Sequence, residues 1–425
     1  MKVYVEPSPA LPIVSVAIGF RSGAVNDPVG KEGLARTTAR MLRRGSFGRS
    51  AEETEEAIDA LGGEFGADVS VSASNVHAEV ISRKLDAFVD LVSEVLGAPS
   101  FDEVELGKLL REAQAEIVES RDSDRTLAGR ALRRTLFEGH LYGRRVAGSL
   151  ASLDTLGTAD VRAFYGRHYC RANAVVAISG DVSMSTGEEI AERLLSRLPE
   201  GEPAPDPVDE PRPKPGRHLV FVDKPDRTQM QMLVGGLGTS AKDEDHLAVI
   251  VGNTAFGGTF TSRLMQEVRA KRGWSYGAYS RAGFDRHRDA FTMSAAPSTK
   301  DAAPCLALML ELLGELRKSG LSKDEVDFVK SYLRRSHAFE IDTARKRVHQ
   351  RLEEALFDLP EGYHASYLER LEALDADTIN AALRRRLPED ELVISVVGTH
   401  AESGAAIAEA IPGLASTTVA PFDLE

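Results

Sequence analysis

Cysteine is nearly absent from this 425-residue chain: Cys170 and Cys305 are the only two, and neither belongs to a CxxC. That excludes a disulfide framework and a cysteine-based zinc site. No run of about 18 apolar residues occurs, so no membrane-spanning helix and no membrane insertion are expected. Positive charge is in deficit. The formal net charge of −13 speaks against a nucleic-acid partner, which would need clustered Lys and Arg. The start, MKVYVEPSPALPIVSVAIGF, carries Glu6 and three prolines where a signal peptide needs an unbroken apolar core. It reads as strand, break, strand. A cytoplasmic location is the expectation, or a periplasmic one if a leader was removed.

What is present is a globular composition, 42% apolar and 28% charged, in a chain long enough for at least two domains. Residues 199–216, PEGEPAPDPVDEPRPKPG, hold seven of the 19 prolines and almost nothing apolar, the signature of an extended, solvated linker. The parts on either side resemble each other. FDEVELGKLLREAQAEI at 101, LDTLGTADVRAFY at 153 and VVAISGDV at 175 find counterparts in LSKDEVDFVKSYLRRSHAFEI at 321, LEALDADTINAAL at 371 and LVISVVGTH at 392. The offset is about 220 residues, drifting to 218, so one fold occurs twice. The expected division is 1–198, a linker at 199–217, and 218–425.

Within a copy, IVSVAIGF (13–20) alternates as a strand. Residues 31–43 and 51–61 show helical spacing, 69–82 alternates again, helical stretches follow at 84–97, 102–121 and 124–138, and a strand closes at 174–179. Too few βαβ units occur for a doubly wound sheet. Each copy reads as α+β, a mainly antiparallel sheet with helices on one face.

The stretch GKEGLARTTARML (30–42) has helical spacing, yet Arg36 and Arg40 stand at i, i+4 on one face. Both could cover a solvated edge. Flanked by GLA and ML, however, the run resembles the metal-binding helix of the pitrilysin/insulinase-type zinc metallopeptidases, the inverzincins, whose motif is H-x-x-E-H with a distant Glu as third ligand. The resemblance places the two imidazole ligands and the general base at Arg36, Arg40 and Ala39. A guanidinium has donors only and stays protonated, so it cannot ligate zinc, and Ala39 cannot take a proton from water. The hydrolytic site is lost, and no metal is expected in this chain. The third ligand position falls on Glu116, 76 residues past Arg40. Either it pairs with Arg36 or Arg40 in the space a metal would fill, or it lies on an exposed helix face. His337 and Glu340, at i, i+3 on a Lys/Arg-rich helix, read as solvated.

The second copy carries AFGGTFTSRLMQEVRAKRGWSYGAYSRAG (255–283). It lacks both phosphate-loop patterns. It reads as a tight turn at Gly257–Gly258, an amphipathic helix ending at Gly273, and a strand from WSYGAYS. The block is similar to the same family's C-terminal domain, with Thr259 where many relatives have a third glycine. That resemblance implies that Gly257 and Gly258 belong to a substrate-binding loop. It also makes Arg269 and Tyr276 the pair that holds the substrate and stabilises its oxyanion. Otherwise they are a solvated arginine and a tyrosine in a strand core. LGGEFGADVSVSASNV (61–76) resembles the family's substrate-accepting edge strand.

The family resemblance implies two domains closing like a clam. It also implies, as in some bacterial relatives, a heterodimer with a homologous subunit whose H-x-x-E-H is intact. The zinc would sit in that partner, and Arg269 and Tyr276 of this chain would complete its site for peptide hydrolysis. A scaffold without peptidase partner, as in the family's respiratory-complex core subunits, and a peptide-binding homodimer are the alternatives.

Overall fold

A computed structural model describes residues 2–203 and 205–423. The chain parts into two compact units, and each draws on both copies of the repeat. Unit 1 is Met1–Ile117, Arg144–Val208 and His337–His364; unit 2 is Val118–Gly143, Asp209–Ser336 and Ala365–Glu425. The expected division at 199–217 is thereby corrected: residues 118–143 and 337–364 pack in the unit opposite to their place in the chain. The described residues of 199–216 form neither helix nor strand, as their proline content demands.

In unit 1, β1 (Lys2–Pro7), β2 (Ile13–Phe20), β3 (Glu64–Val69), β4 (Ser74–Ile81) and β5 (Ala174–Gly180) form a sheet ordered β1-β5-β2-β4-β3. Only the β1–β5 pairing is parallel. Alternation in β2 sends Val14, Val16, Ile18 and Phe20 to one face. There they meet Leu34 and Met41 of helix Leu34–Met41, Val92 of helix Leu85–Gly97, and Ile190 of helix Met184–Leu195. The opposite face presents Ala17, Val175 and Ala177. It is covered by helix Ala344–Leu356, through Val348, Leu352 and Leu356. Gly19 permits that close approach, since a Cβ there would come within 2.7 Å of Leu356 Cδ1.

Unit 2 repeats the plan. The strands β6 (Arg217–Asp223), β7 (Gln231–Leu237), β8 (Ala278–Ala282), β9 (Ala290–Ala295), β10 (Leu392–Gly398) and β11 (Leu414–Pro421) are ordered β11-β6-β10-β7-β9-β8. The β11–β6 and β6–β10 pairs are parallel and the rest antiparallel. One face packs on helices that include His246–Asn253, Thr299–Ser319 and Ala376–Arg386. The other, with Val222 and Val397, is covered by Leu127 and Ala128 of helix Asp124–Leu136. Lys224 fixes the start of that helix, donating to Asp124 Oδ1 at 2.7 Å and to the Arg121 carbonyl at 2.8 Å.

The α+β class and the mainly antiparallel sheets agree with the pattern reading. Tertiary packing adds one helix, from the other copy, on the second face of each sheet. Both exchanged helices start from equivalent caps, Ser123 accepting from Thr126 N–H and Thr343 from Lys346 N–H, each at 3.2 Å.

Candidate functional site: a lost metal helix and an exposed Arg–Tyr stack

Helix Leu34–Met41 begins at Gly33, whose φ of 98° only glycine adopts without strain, rather than at Gly30. Asp27, a residue the sequence did not single out, takes the first free N–H groups. Its carboxylate accepts from Gly33 N at 2.8 Å and from Ala35 N at 2.7 Å. Burial pushes the Asp27 carboxyl up to about 7 against those two bonds.

One turn on, Arg36 and Arg40 converge on Glu116 from helix Glu103–Glu119. Arg36 Nη2 lies 2.9 Å from Glu116 Oε2; Arg40 lies 3.2 Å from Oε2 through Nη1 and 2.9 Å from Oε1 through Nη2. The Arg40 contact is bidentate, and Glu116 pairs with both arginines rather than one. Arg40 Nη2 also stands 3.6 Å from Glu112. All these side chains are partly exposed. Partial burial alone would raise the Glu116 carboxyl, but the Arg36 hydrogen bond and the two guanidinium charges outweigh it and hold it below the usual range.

These residues do not fit zinc. Two positions present N–H donors without a lone pair, Ala39 presents a methyl, and both Glu116 oxygens are already taken by guanidinium groups. Among the described residues no group of three His, Cys, Asp or Glu could hold a metal ion. His337 and Glu340 both lie on helix Lys323–Glu340.

The depressed Glu116 carboxyl makes a pH prediction. Its pairing contributes stability above the ordinary carboxylate range and loses it as pH falls through the depressed value. The pair is exposed enough that the effect stays under about 1 kcal/mol. Glu116→Gln should therefore lower the urea midpoint slightly at pH 7, with wild type and variant converging only in acid, once pH falls below the depressed value of the Glu116 carboxyl.

In unit 2 the glycine block is built differently from the expected turn and regular helix. Helix His246–Asn253 runs into a π-helical turn, Thr254–Gly258. A second π-helical segment, Met265–Ala270, carries Arg269. Such insertions are uncommon and concentrate at functional sites. Gly257 is buried where a Cβ would meet Leu264 at 2.8 Å, whereas Gly258 is exposed with nothing nearer than 3.5 Å. Gly257 therefore serves packing, and only Gly258 faces outward. The strand starts at Ala278, so Tyr276 precedes it.

Tyr276 is 84% exposed, which rules out a place in the strand core. The Arg269 guanidinium lies 5.1 Å from the Tyr276 ring centroid and 5.4 Å from that of Phe260. Among the described residues Arg269 has no ion pair. Its neighbours differ: Lys271 and Arg272 both bind Glu267, and Arg263 binds Glu325. Arg269 is thus held by two rings with its N–H donors open, ready for a carbonyl or carboxylate. Phe260 escaped the sequence reading. Its one local signal was an aromatic residue between two threonines, Thr259 and Thr261.

The structure brings Arg36, Ala39, Arg40 and Glu116 together within unit 1, and Arg269 and Tyr276 within unit 2. Cys170 and Cys305 are free and buried, and burial pushes the Cys305 thiol up to about 12, so Cys305 offers no thiolate nucleophile. Among the described residues no helix is long and apolar enough to cross a membrane.

Comparison with known proteins agrees with this picture. Residues 2–149 match the family described as Insulinase (Peptidase family M16), and residues 155–333 match the Peptidase M16 inactive domain. An uncharacterized zinc protease of Mycobacterium leprae is 29% identical, over 79% of this chain and 75% of that one. A non-peptidase homolog of Helicobacter pylori is 21% identical, over 93% of this chain and 91% of its own. Among solved structures, a peptidase M16 inactive domain from Pseudomonas fluorescens superposes with a TM-score of 0.87 at 26% identity, covering 99% of this chain and 96% of that one. The two sheets, the repeat and the family match over most of the chain lead to one conclusion: this protein belongs to the insulinase family, peptidase family M16, as a homologue that lacks the family's zinc motif.

Proposed function

We propose that the chain is the non-zinc subunit of a heterodimeric M16 peptidase. Its Arg269 and Tyr276 would bind peptide substrate in the site of a homologous partner chain bearing an intact H-x-x-E-H. One observation carries the reading. An 84%-exposed tyrosine and an arginine without an acidic partner stack together, an arrangement that contributes little to the stability of unit 2 and leaves two hydrogen-bond donors open. The arginine would hold a substrate carbonyl or carboxylate, and the phenol would donate to oxygen as charge develops there. Zinc belongs to the partner in this reading, because the ion-paired Arg36–Arg40–Glu116 cluster leaves this chain no ligand set.

The purified chain is expected to hold far less than one zinc per molecule by elemental analysis after dialysis, and to leave peptides intact. Cleavage should appear on addition of the zinc-bearing partner. One zinc per chain together with peptidase activity of the isolated protein would end this reading. A scaffold role is the second reading, favoured by the ion-paired cluster at the positions of the family's metal motif and by the non-peptidase homolog among the relatives. It predicts no effect of Arg269 or Tyr276 substitutions on any activity of the assembled protein.

A further inference from the structure

At their parallel edges the two sheets differ by one strand. In sheet 2 the order begins β11-β6-β10, so β11 pairs along the outer edge of β6. In sheet 1 it begins β1-β5, and among the described residues no strand pairs outside β1. Val175 corresponds to Val393 at the repeat offset of 218, so their partners Lys2 and His218 correspond as well. The place of β11 then falls on 196–203, SRLPEGEP. There Pro199 and Pro203 supply no N–H, and no strand forms.

Burial records the missing strand. Leu219, Val220, Phe221 and Val222 of β6 are buried, whereas their counterparts Val3, Tyr4, Val5 and Glu6 are only half-buried. Among the described residues no hydrogen bond reaches the backbone of Lys2–Glu6 except from β5, so the outward N–H and C=O groups of β1 are open. The neighbouring helices leave room for a strand. Met184–Leu195 and Ala344–Leu356 flank β1 as His400–Glu409 and Asp124–Leu136 flank β6, and β11 fits beside that pair.

The residues of β1 suit one occupant above others. KVYVE is self-complementary about Tyr4, with Val3 balanced by Val5 and the cation Lys2 by the anion Glu6. We infer that the outer edge of β1 docks antiparallel on β1 of a second copy of this chain, about a twofold axis at Tyr4, joining the two sheets into one. Each Lys2 then stands opposite Glu6 of the other copy, each Val3 opposite Val5, and Tyr4 opposite Tyr4. A parallel pairing would instead set Lys2 against Lys2 and Glu6 against Glu6. Lys2 is exposed and among the described residues has no ion pair. Glu6 gives only Oε1 to Arg347, at 2.5 Å, and keeps Oε2 for the incoming ammonium. The inference goes beyond the proposed function, because β1 carries no residue of the Arg–Tyr stack or of the ion-paired cluster.

Sedimentation velocity of the isolated chain across a concentration series tests it. Wild type should form a dimer. Lys2→Glu should weaken that dimer about tenfold, since two attractive pairs per interface become repulsive, and Glu6→Lys should do the same. An equimolar mixture of the two variants should dimerise again, because every charge then meets its opposite. With one variant isotopically labelled, native mass spectrometry should find one chain of each. Thermal melts report whether the variants are folded, and Lys2→Glu breaks no ion pair within the chain. A monomeric wild type, a dimer indifferent to Lys2→Glu, or folded variants whose mixture stays monomeric would overturn the assignment. None of these outcomes bears on whether a zinc-bearing partner exists.

Discussion

In the proposed heterodimer, Tyr276→Phe should lower kcat by about 10²–10³, the scale of losing one oxyanion donor. The substitution removes only the phenol O–H. The ring remains to stack on Arg269, whose guanidinium lies 5.1 Å from its centroid, so the arginine keeps its position. With the ring 84% exposed, no packing in unit 2 depends on the hydroxyl, and neither melting temperature nor association with the partner should change. Arg269→Ala should produce a loss of similar size with a larger share in KM, because a substrate-holding contact acts in the ground state as well. Lysine should not rescue it fully, since an ammonium lacks the planar fork that suits a carbonyl or carboxylate and stacks less well between Phe260 and Tyr276. Steady-state kinetics on mixtures with wild-type partner decide the matter. Unchanged turnover for both variants would remove the pair from the reaction and leave the scaffold reading.

Leu352→Ala should destabilise unit 1 by about 2–5 kcal/mol, the range for truncating a fully buried leucine. Leu352 has no exposed surface and sits on helix Ala344–Leu356, which lies far along the chain from the sheet it covers. One of its methyl groups stands over Gly19 beside those of Leu356, where the strand carries no side chain to fill the space left behind. Denaturant melts should show the loss. The same architecture implies that a single proteolytic cut in 199–216 leaves the two pieces associated, because each unit contains segments from both sides of the cut. Pieces that separate on gel filtration after such a cut would contradict the exchange of helices.

Much of this was legible in the residues. Alternation marked β2 and the stretch that holds β4, and the repeated segments announced two similar sheets. The replacement of H-x-x-E-H by Arg36, Ala39 and Arg40 excluded zinc on donor chemistry alone. Three features were not legible. The exchange of residues 118–143 and 337–364 cannot be read from periodicity, because an amphipathic helix states that it has an apolar stripe and not which sheet will cover it. The π-helical turns at Thr254–Gly258 and Met265–Ala270 replace an expected turn and regular helix, since a one-residue widening leaves no compositional trace. Asp27 and Phe260 act through contacts that only the fold forms, one on the backbone N–H groups of Gly33 and Ala35 and one on the Arg269 guanidinium.

The chain's covalent order by itself determined which chemistry is impossible here and that one fold occurs twice, because donor type and repetition are properties of residues in line. Only the folded molecule decided that Glu116 answers both arginines and that Arg269 is, among the described residues, without an acid. Those are relations across strands and helices far apart in the chain, and they come into being when packing sets which charges meet and which are left over.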